Sequence, residues 1–96
     1  MYTLGEIKEK VSPIAQSYGV GRVSVFGSYA RGDMQADSDV DFRIVDDGDL
    51  CGLIKLAGFC RELQESLRLP VDVITNDAVS LDFLARIKNE EVIIYG

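Results

Sequence analysis

At 96 residues, with a formal net charge of −6 and a pI near 4.4, the chain reads as one acidic domain. A domain this small buries only about 60–65% of the surface its unfolded chain exposes, which leaves one modest core and no room for a separate substrate domain. Histidine is absent, which excludes Ser-His-Asp and Cys-His catalysis and His-ligated zinc, and the negative balance argues against this chain alone gripping nucleic acid through its phosphates.

Leu4, Ile7, Val11, Ile14, Ala15 and Tyr18 recur at helical spacing. Ser12-Pro13 falls in the middle of that stripe as an N-cap and first-turn pair, which predicts a kinked or two-piece helix ended by Gly19 and Gly21. Arg22 to Phe26 alternates and is rich in β-branched residues, a strand that runs directly into Gly27-Ser28, and the YARG stretch that follows predicts a short helical turn. Asp39 to Val45 sets Val40, Phe42 and Ile44 against Asp39, Asp41 and Arg43, the pattern of a half-buried strand. Asp46 to Asp49 reads as a solvated turn with Asp49 as an N-cap, opening an amphipathic helix from Leu50 to Leu67. Val71 to Thr75 predicts a third strand, with Asp72 on the face opposite Val71 and Val73. A last helix capped by Ser80 or Asp77 and a closing strand in EVIIYG complete a small α/β domain, a mixed sheet with helices packed on one face. The other face is then free to carry Asp39, Asp41 and Asp72.

Apolar runs fall far short of the roughly 20 residues that span a bilayer, and no basic-then-apolar leader pattern opens the chain, so a cytoplasmic protein with no membrane contact is expected. Cys51 and Cys60, nine residues apart on a predicted helix, point to opposite faces and are read as buried free thiols.

The chemistry concentrates in residues 26 to 42, FGSYARGDMQADSDVDF. Residues two apart on a strand project to the same side, so Asp39 and Asp41 place two carboxylates on one surface while Val40 anchors the other. Two like charges that close repel unless a cation neutralises them, and a site of two or three carboxylates open to water and phosphate suits magnesium. Asp72, on a neighbouring strand, is the natural third ligand of a two-metal clamp. Upstream, Gly27 ends a strand and Ser28 opens a helical turn, whose unpaired N–H groups can cradle a phosphate. A phosphate cradle beside a magnesium site implies phosphoryl or nucleotidyl transfer. Two rival motifs fail: Gly27 and Gly32 have P-loop spacing, but Asp33-Met34 stand where Lys-Ser/Thr is required. Asp37, Asp39 and Asp41 begin like an EF-hand loop, but Phe42 and Gly48 stand where glycine and glutamate are needed.

Gly27-Ser28, ten residues, then Asp39-x-Asp41 resembles the signature of the DNA polymerase β-type nucleotidyltransferase superfamily. With VDVIT and LARIKNEEVIIY added, nearly the whole chain is similar to the minimal nucleotidyltransferase (MNT) domains. The resemblance implies that Gly27 and Ser28 hold the terminal phosphates of ATP, that Asp39 and Asp41 bind two magnesium ions, and that Asp72 is third ligand and activator of the incoming hydroxyl. It also implies a partner, since many minimal members act as antitoxins that transfer AMP from ATP to a tyrosine of a HEPN toxin.

Arg31 and Ser38 complete the expected nucleotide-contact set, although Arg31 could equally pair with a nearby acid, and Ser38 has the chemistry to set the turn before its strand. Arg43 shares the aspartates' face, where it could meet nucleotide or form an ion pair. Tyr18, Tyr29 and Tyr95 are read as packing residues. Two other functions stay open: a binding module that silences a basic partner by covering it, and modification of a small cationic hydroxyl compound of the aminoglycoside type. Homo- or hetero-oligomers are compatible with the sequence.

Overall fold

The computed structural model describes residues 2–45, 53–75 and 80–96. The elements run α1 (Leu4–Tyr18), β1 (Arg22–Phe26), α2 (Ser28–Arg31), β2 (Val40–Val45), α3 (Leu53–Leu67), β3 (Val71–Thr75), α4 (Leu81–Glu90) and β4 (Val92–Tyr95). One mixed sheet of order β3-β2-β1-β4 results, in which β1 is antiparallel to both neighbours and β2 is parallel to β3. Parallel neighbours need a crossover, and α3 supplies it. The small mixed α/β sheet expected from the sequence is therefore the fold.

Alternation along the strands decides the core. Val23 and Val25 of β1, Val40, Phe42 and Ile44 of β2, and Ile94 of β4 all point to one face and are buried. Against them pack Ile7, Val11 and Ala15 of α1 and Phe59, Leu63 and Leu67 of α3, each set spaced four residues apart. Burying such a side chain stabilises the fold by about 1.5–3 kcal/mol. Tyr18 meets Phe59 edge-on at 5.5 Å between ring centroids, and the Tyr2 hydroxyl donates to the Leu67 carbonyl at 2.7 Å, so the two helices are tied at both ends.

The first helix is not in two pieces. It runs unbroken from Leu4 to Tyr18 with Pro13 inside it, and its N-cap is Thr3, whose hydroxyl accepts from the Glu6 N–H at 3.1 Å while the Glu6 carboxylate accepts from the Thr3 N–H at 3.0 Å. Pro13 and Glu9, the carbonyl donor-seeker one turn earlier, are both exposed, so water can satisfy the group that proline leaves without its N–H. Ser12, rather than capping, donates its hydroxyl back to the Lys8 carbonyl at 2.7 Å. The helix ends where Gly19 takes a left-handed conformation, φ 69°. The strand expected to start at Asp39 begins one residue later, at Val40.

The Asp46–Asp49 turn, the Asp49 cap, Cys51 and the Asp77 cap lie outside the described residues. Ser80 does cap α4, accepting from the Phe83 N–H at 3.2 Å. Cys60 is half-buried rather than buried, and burial pushes its thiol pKa up. No helix among the described residues is long and apolar enough to cross a membrane.

Candidate active site

One lateral row of the sheet assembles the polar residues. Phe26 faces Asp41 across the antiparallel β1–β2 pair, and Asp41 faces Asp72 across the parallel β2–β3 pair. Residues opposite one another share a face, so Asp41 and Asp72 stand side by side on the face away from the main core. Gly27 and Ser28 follow Phe26 directly and turn the chain over the same row. Asp39, just outside β2, is exposed, as is Asp72, whereas Asp41 between them is half-buried.

Gly27 has no substitute in this position. Its φ of 75° and ψ of −149° suit only glycine, and a Cβ built on it would collide with Asp41 Oδ2. The loss of that side chain lets the backbone lie directly against the carboxylate. Beyond it, α2 is a single turn in which the Ala30 and Arg31 N–H groups both return to the Gly27 carbonyl, at 3.1 and 3.0 Å. The amides of Ser28 and Tyr29 have no acceptor within so short a helix. Ser28 is half-buried and Tyr29 buried.

The Gly27 N–H is already engaged: it donates to Glu90 Oε1 at 3.0 Å. Glu90, at the end of α4, also accepts from Arg31 Nη1, at 3.4 Å to Oε1 and 3.2 Å to Oε2, while Arg31 Nε donates to Asp33 Oδ2 at 3.1 Å. Arg31 thus sits at the site as a paired cation. Ser38 is a turn residue: its hydroxyl accepts from the Gln35 N–H at 2.8 Å and its own N–H donates to the Gln35 carbonyl at 3.0 Å. Arg43 forms the ion pair rather than a free contact, donating Nε and Nη2 to the two carboxylate oxygens of Glu91 at 2.7 and 2.8 Å.

Electrostatics single out Asp41. Burial, then the neighbouring charges of Asp72 and Asp39, push its pKa up to about 6, with Glu90 adding to the rise and Arg31 opposing it. Among the described residues no three acidic or thiol side chains stand close enough to close around a metal ion. The three aspartates are nonetheless hard oxygen donors whose mutual repulsion an added divalent cation would relieve, so the donor set fits magnesium.

A cleft of about 360 Å³ opens beside the row, lined by Phe26, Gly27, Ser28, Arg31 and Asp41 on one side and by Phe83, Arg86, Ile87 and Glu90 on the other. Asp39, Asp72 and Ser38 lie outside that lining. The sequence marks this stretch only as a capped last helix and singles out none of the residues of the α4 wall. Phe83, Arg86, Ile87 and Glu90 in fact lie at i, i+3, i+4 and i+7, one helical face that mixes charge with apolar surface, and that mixture was the available signal. Phe83 packs edge-on against Phe26 at 6.2 Å, which brings α4 to the aspartates' face while α1 and α3 hold the other, so helices pack on both faces of the sheet and not, as expected, on one.

Among the described residues the Tyr29 hydroxyl is buried without a hydrogen-bond partner, and its ring belongs to the core, as does the flank of Tyr95. Tyr18, Tyr29 and Tyr95 are therefore packing residues.

A mixed sheet whose first strand ends in a glycine-serine turn laid against a row of aspartates defines a nucleotidyltransferase. Residues 4–95 match the family model described as a nucleotidyltransferase domain, and the chain belongs to that family, among its minimal members. A Methanocaldococcus jannaschii relative, described by inference as a protein adenylyltransferase, is 40% identical over 89 residues that span 93% of this chain and 95% of its own. The protein adenylyltransferase MntA of Thermococcus cleftensis is 31% identical over 98 residues, 98% of each chain. Among solved structures, a chain of a toxin–antitoxin complex with AMP-PNP superposes with a TM-score of 0.80 at 19% identity, over 93% of this chain and 73% of that one. A complex of tri-AMPylated Shewanella oneidensis HEPN toxin with MNT antitoxin gives a TM-score of 0.74 at 16% identity, over 97% and 72%. At such identities the two structures are likenesses of fold.

Proposed function

We propose that this chain transfers AMP from ATP, with magnesium, to a hydroxyl group, a tyrosine's, on a HEPN toxin and so acts as its antitoxin. The row Phe26–Asp41–Asp72 carries the reading, because it sets a glycine-serine turn, a half-buried carboxylate and an exposed carboxylate at successive strand ends. Relatives named as protein adenylyltransferases and a fold shared with an MNT antitoxin bound to its AMPylated toxin support it.

In this mechanism the Gly27-Ser28 turn and Arg31 hold the β- and γ-phosphates, which fixes the α-phosphorus near the aspartates. Ser38 shapes the loop that delivers Asp39 to the row. Asp39, Asp41 and Asp72 would hold the magnesium ions, which when bound supply charge neutralisation at the phosphates. Asp72 takes the proton of the incoming hydroxyl, whose oxygen forms a bond to the α-phosphorus as the bond to the β-phosphate oxygen breaks and pyrophosphate leaves. Exposure of Asp72 suits an acceptor carried on another protein, which must reach the carboxylate from outside.

Incubation of a cognate HEPN protein with this chain and magnesium-ATP, followed by intact mass measurement, tests the proposal. One or more AMP increments on the partner, absent with Asp39→Asn/Asp41→Asn, are expected. A tight complex that forms with no adduct would replace catalysis with masking of the partner.

A further inference from the structure

Part of the proposed phosphate site, the Gly27 N–H and Arg31, already holds an anion supplied by the chain itself. Glu90 Oε1 takes the Gly27 N–H at 3.0 Å, and both Glu90 oxygens take Arg31 Nη1. A glycine's own backbone amide and a guanidinium converging on one oxyanion is the donor arrangement that recognises a phosphate. From this we infer that Glu90 is an internal competitor for that cradle, which a nucleotide's terminal phosphates must displace before they can reach Gly27 and Arg31. The inference rests on the reading of Gly27, Ser28 and Arg31 as the nucleotide's phosphate site.

Three features make Glu90 displaceable rather than structural. Its side chain is 31% exposed and that of Arg31 48%, so both can rearrange into water at little cost. It lies on the wall of the cleft, so an outward swing widens the space that the phosphates need. It is also the last residue of α4, where the backbone is anchored independently, because the Glu91 N–H donates to the Ile87 carbonyl at 2.8 Å and the Glu91 side chain is locked to Arg43. Withdrawal of the Glu90 carboxylate leaves α4 in place. It also removes one of the negative charges acting on Asp41. A triphosphate carries more charge than one carboxylate and offers several oxygens to the same donors, so it wins the exchange, whereas an anion as small and singly charged as acetate does not. Glu90 thereby selects for polyphosphate ligands.

The test uses the 96-residue chain with magnesium and α,β-methylene-ATP, which binds like ATP and cannot lose pyrophosphate. Calorimetry on wild type, Glu90→Gln and Glu90→Ala measures affinity, and Glu90→Gln, nearly isosteric, guards against a folding failure of the alanine variant. Relief of the competition should tighten binding by about fivefold or more, since apparent affinity is reduced by the fraction of molecules whose site is free. In ATP-dependent transfer the same variants should lower KM. In wild type, the Gly27 amide resonance should move on saturation with the analogue, and its position in Glu90→Ala should already be displaced. Weaker or equal binding in both variants, with wild-type binding intact, would overturn the competitor role alone and make Glu90 a positioning residue for Arg31. Binding by none of the three proteins would overturn both this inference and the nucleotide-transfer reading.

Discussion

Two consecutive glutamates at the α4–β4 junction make opposite use of the same chemistry. Glu91 meets Arg43 in a two-pronged pair whose side chains are 10% and 4% exposed, whereas Glu90 meets Arg31 where they are 31% and 48% exposed. The buried pair holds β4 and the end of α4 to β2, and burial makes it costly to break. The open pair closes the cleft and is cheap to break. The difference teaches that solvent access, not the identity of the partners, decides whether an arginine–glutamate contact is a fixture of the fold or an exchangeable ligand.

Breaking the buried pair should have the largest effect. Glu91→Ala removes the bidentate partner of a buried guanidinium, at a cost of about 3–5 kcal/mol. At roughly 4–8 °C per kcal/mol for a domain of this size, thermal unfolding should fall by more than about 10 °C. A drop of only a degree or two would mean that the two glutamates are energetically alike.

Asp41, on the open side, gives an intermediate effect of opposite sign. Its folded pKa, about 6, lies above the ordinary 3.8, so the folded chain holds this proton more tightly than the unfolded one. Stability is therefore lost as pH rises from about 4 through 6 and is not regained above it. Without metal, Asp41→Asn should raise stability at pH 7 by about 1 kcal/mol, a figure below the full shift because solvent screens a half-exposed group. The gain should vanish near pH 4. Magnesium should stabilise the wild type and leave Asp41→Asn unmoved, since an ion that binds only the folded chain shifts its unfolding. Thermal melts at pH 4 and 7, with and without magnesium, read all of this.

Breaking the open pair should matter least for stability. Glu90→Ala should cost less than about 1 kcal/mol, in line with exposed ion pairs, even though it alters nucleotide affinity. Equal destabilisation by Glu90→Ala and Glu91→Ala would erase the distinction between them.

Local rules were enough wherever a pattern acts within one element. Alternation in RVSVF and VDFRIV fixed which side chains enter the core, and Gly27-Ser28 followed by Asp39-x-Asp41 marked the family and the candidate site. Ser12-Pro13 misled because a proline's effect depends on whether the carbonyl it orphans can reach water. At Glu9 that carbonyl is on an exposed turn, so α1 continues through it.

The sequence by itself determined the strands, the main core and the place of the acidic residues and the glycine-serine turn along the chain, because each follows from periodicity or spacing along a few residues. Only the tertiary structure decided that Phe26, Asp41 and Asp72 form a single row, that α4 walls the cleft, and that Glu90 reaches Gly27 from 63 positions away. Strand register and helix docking are settled by how whole elements share one core, and no local pattern contains that information.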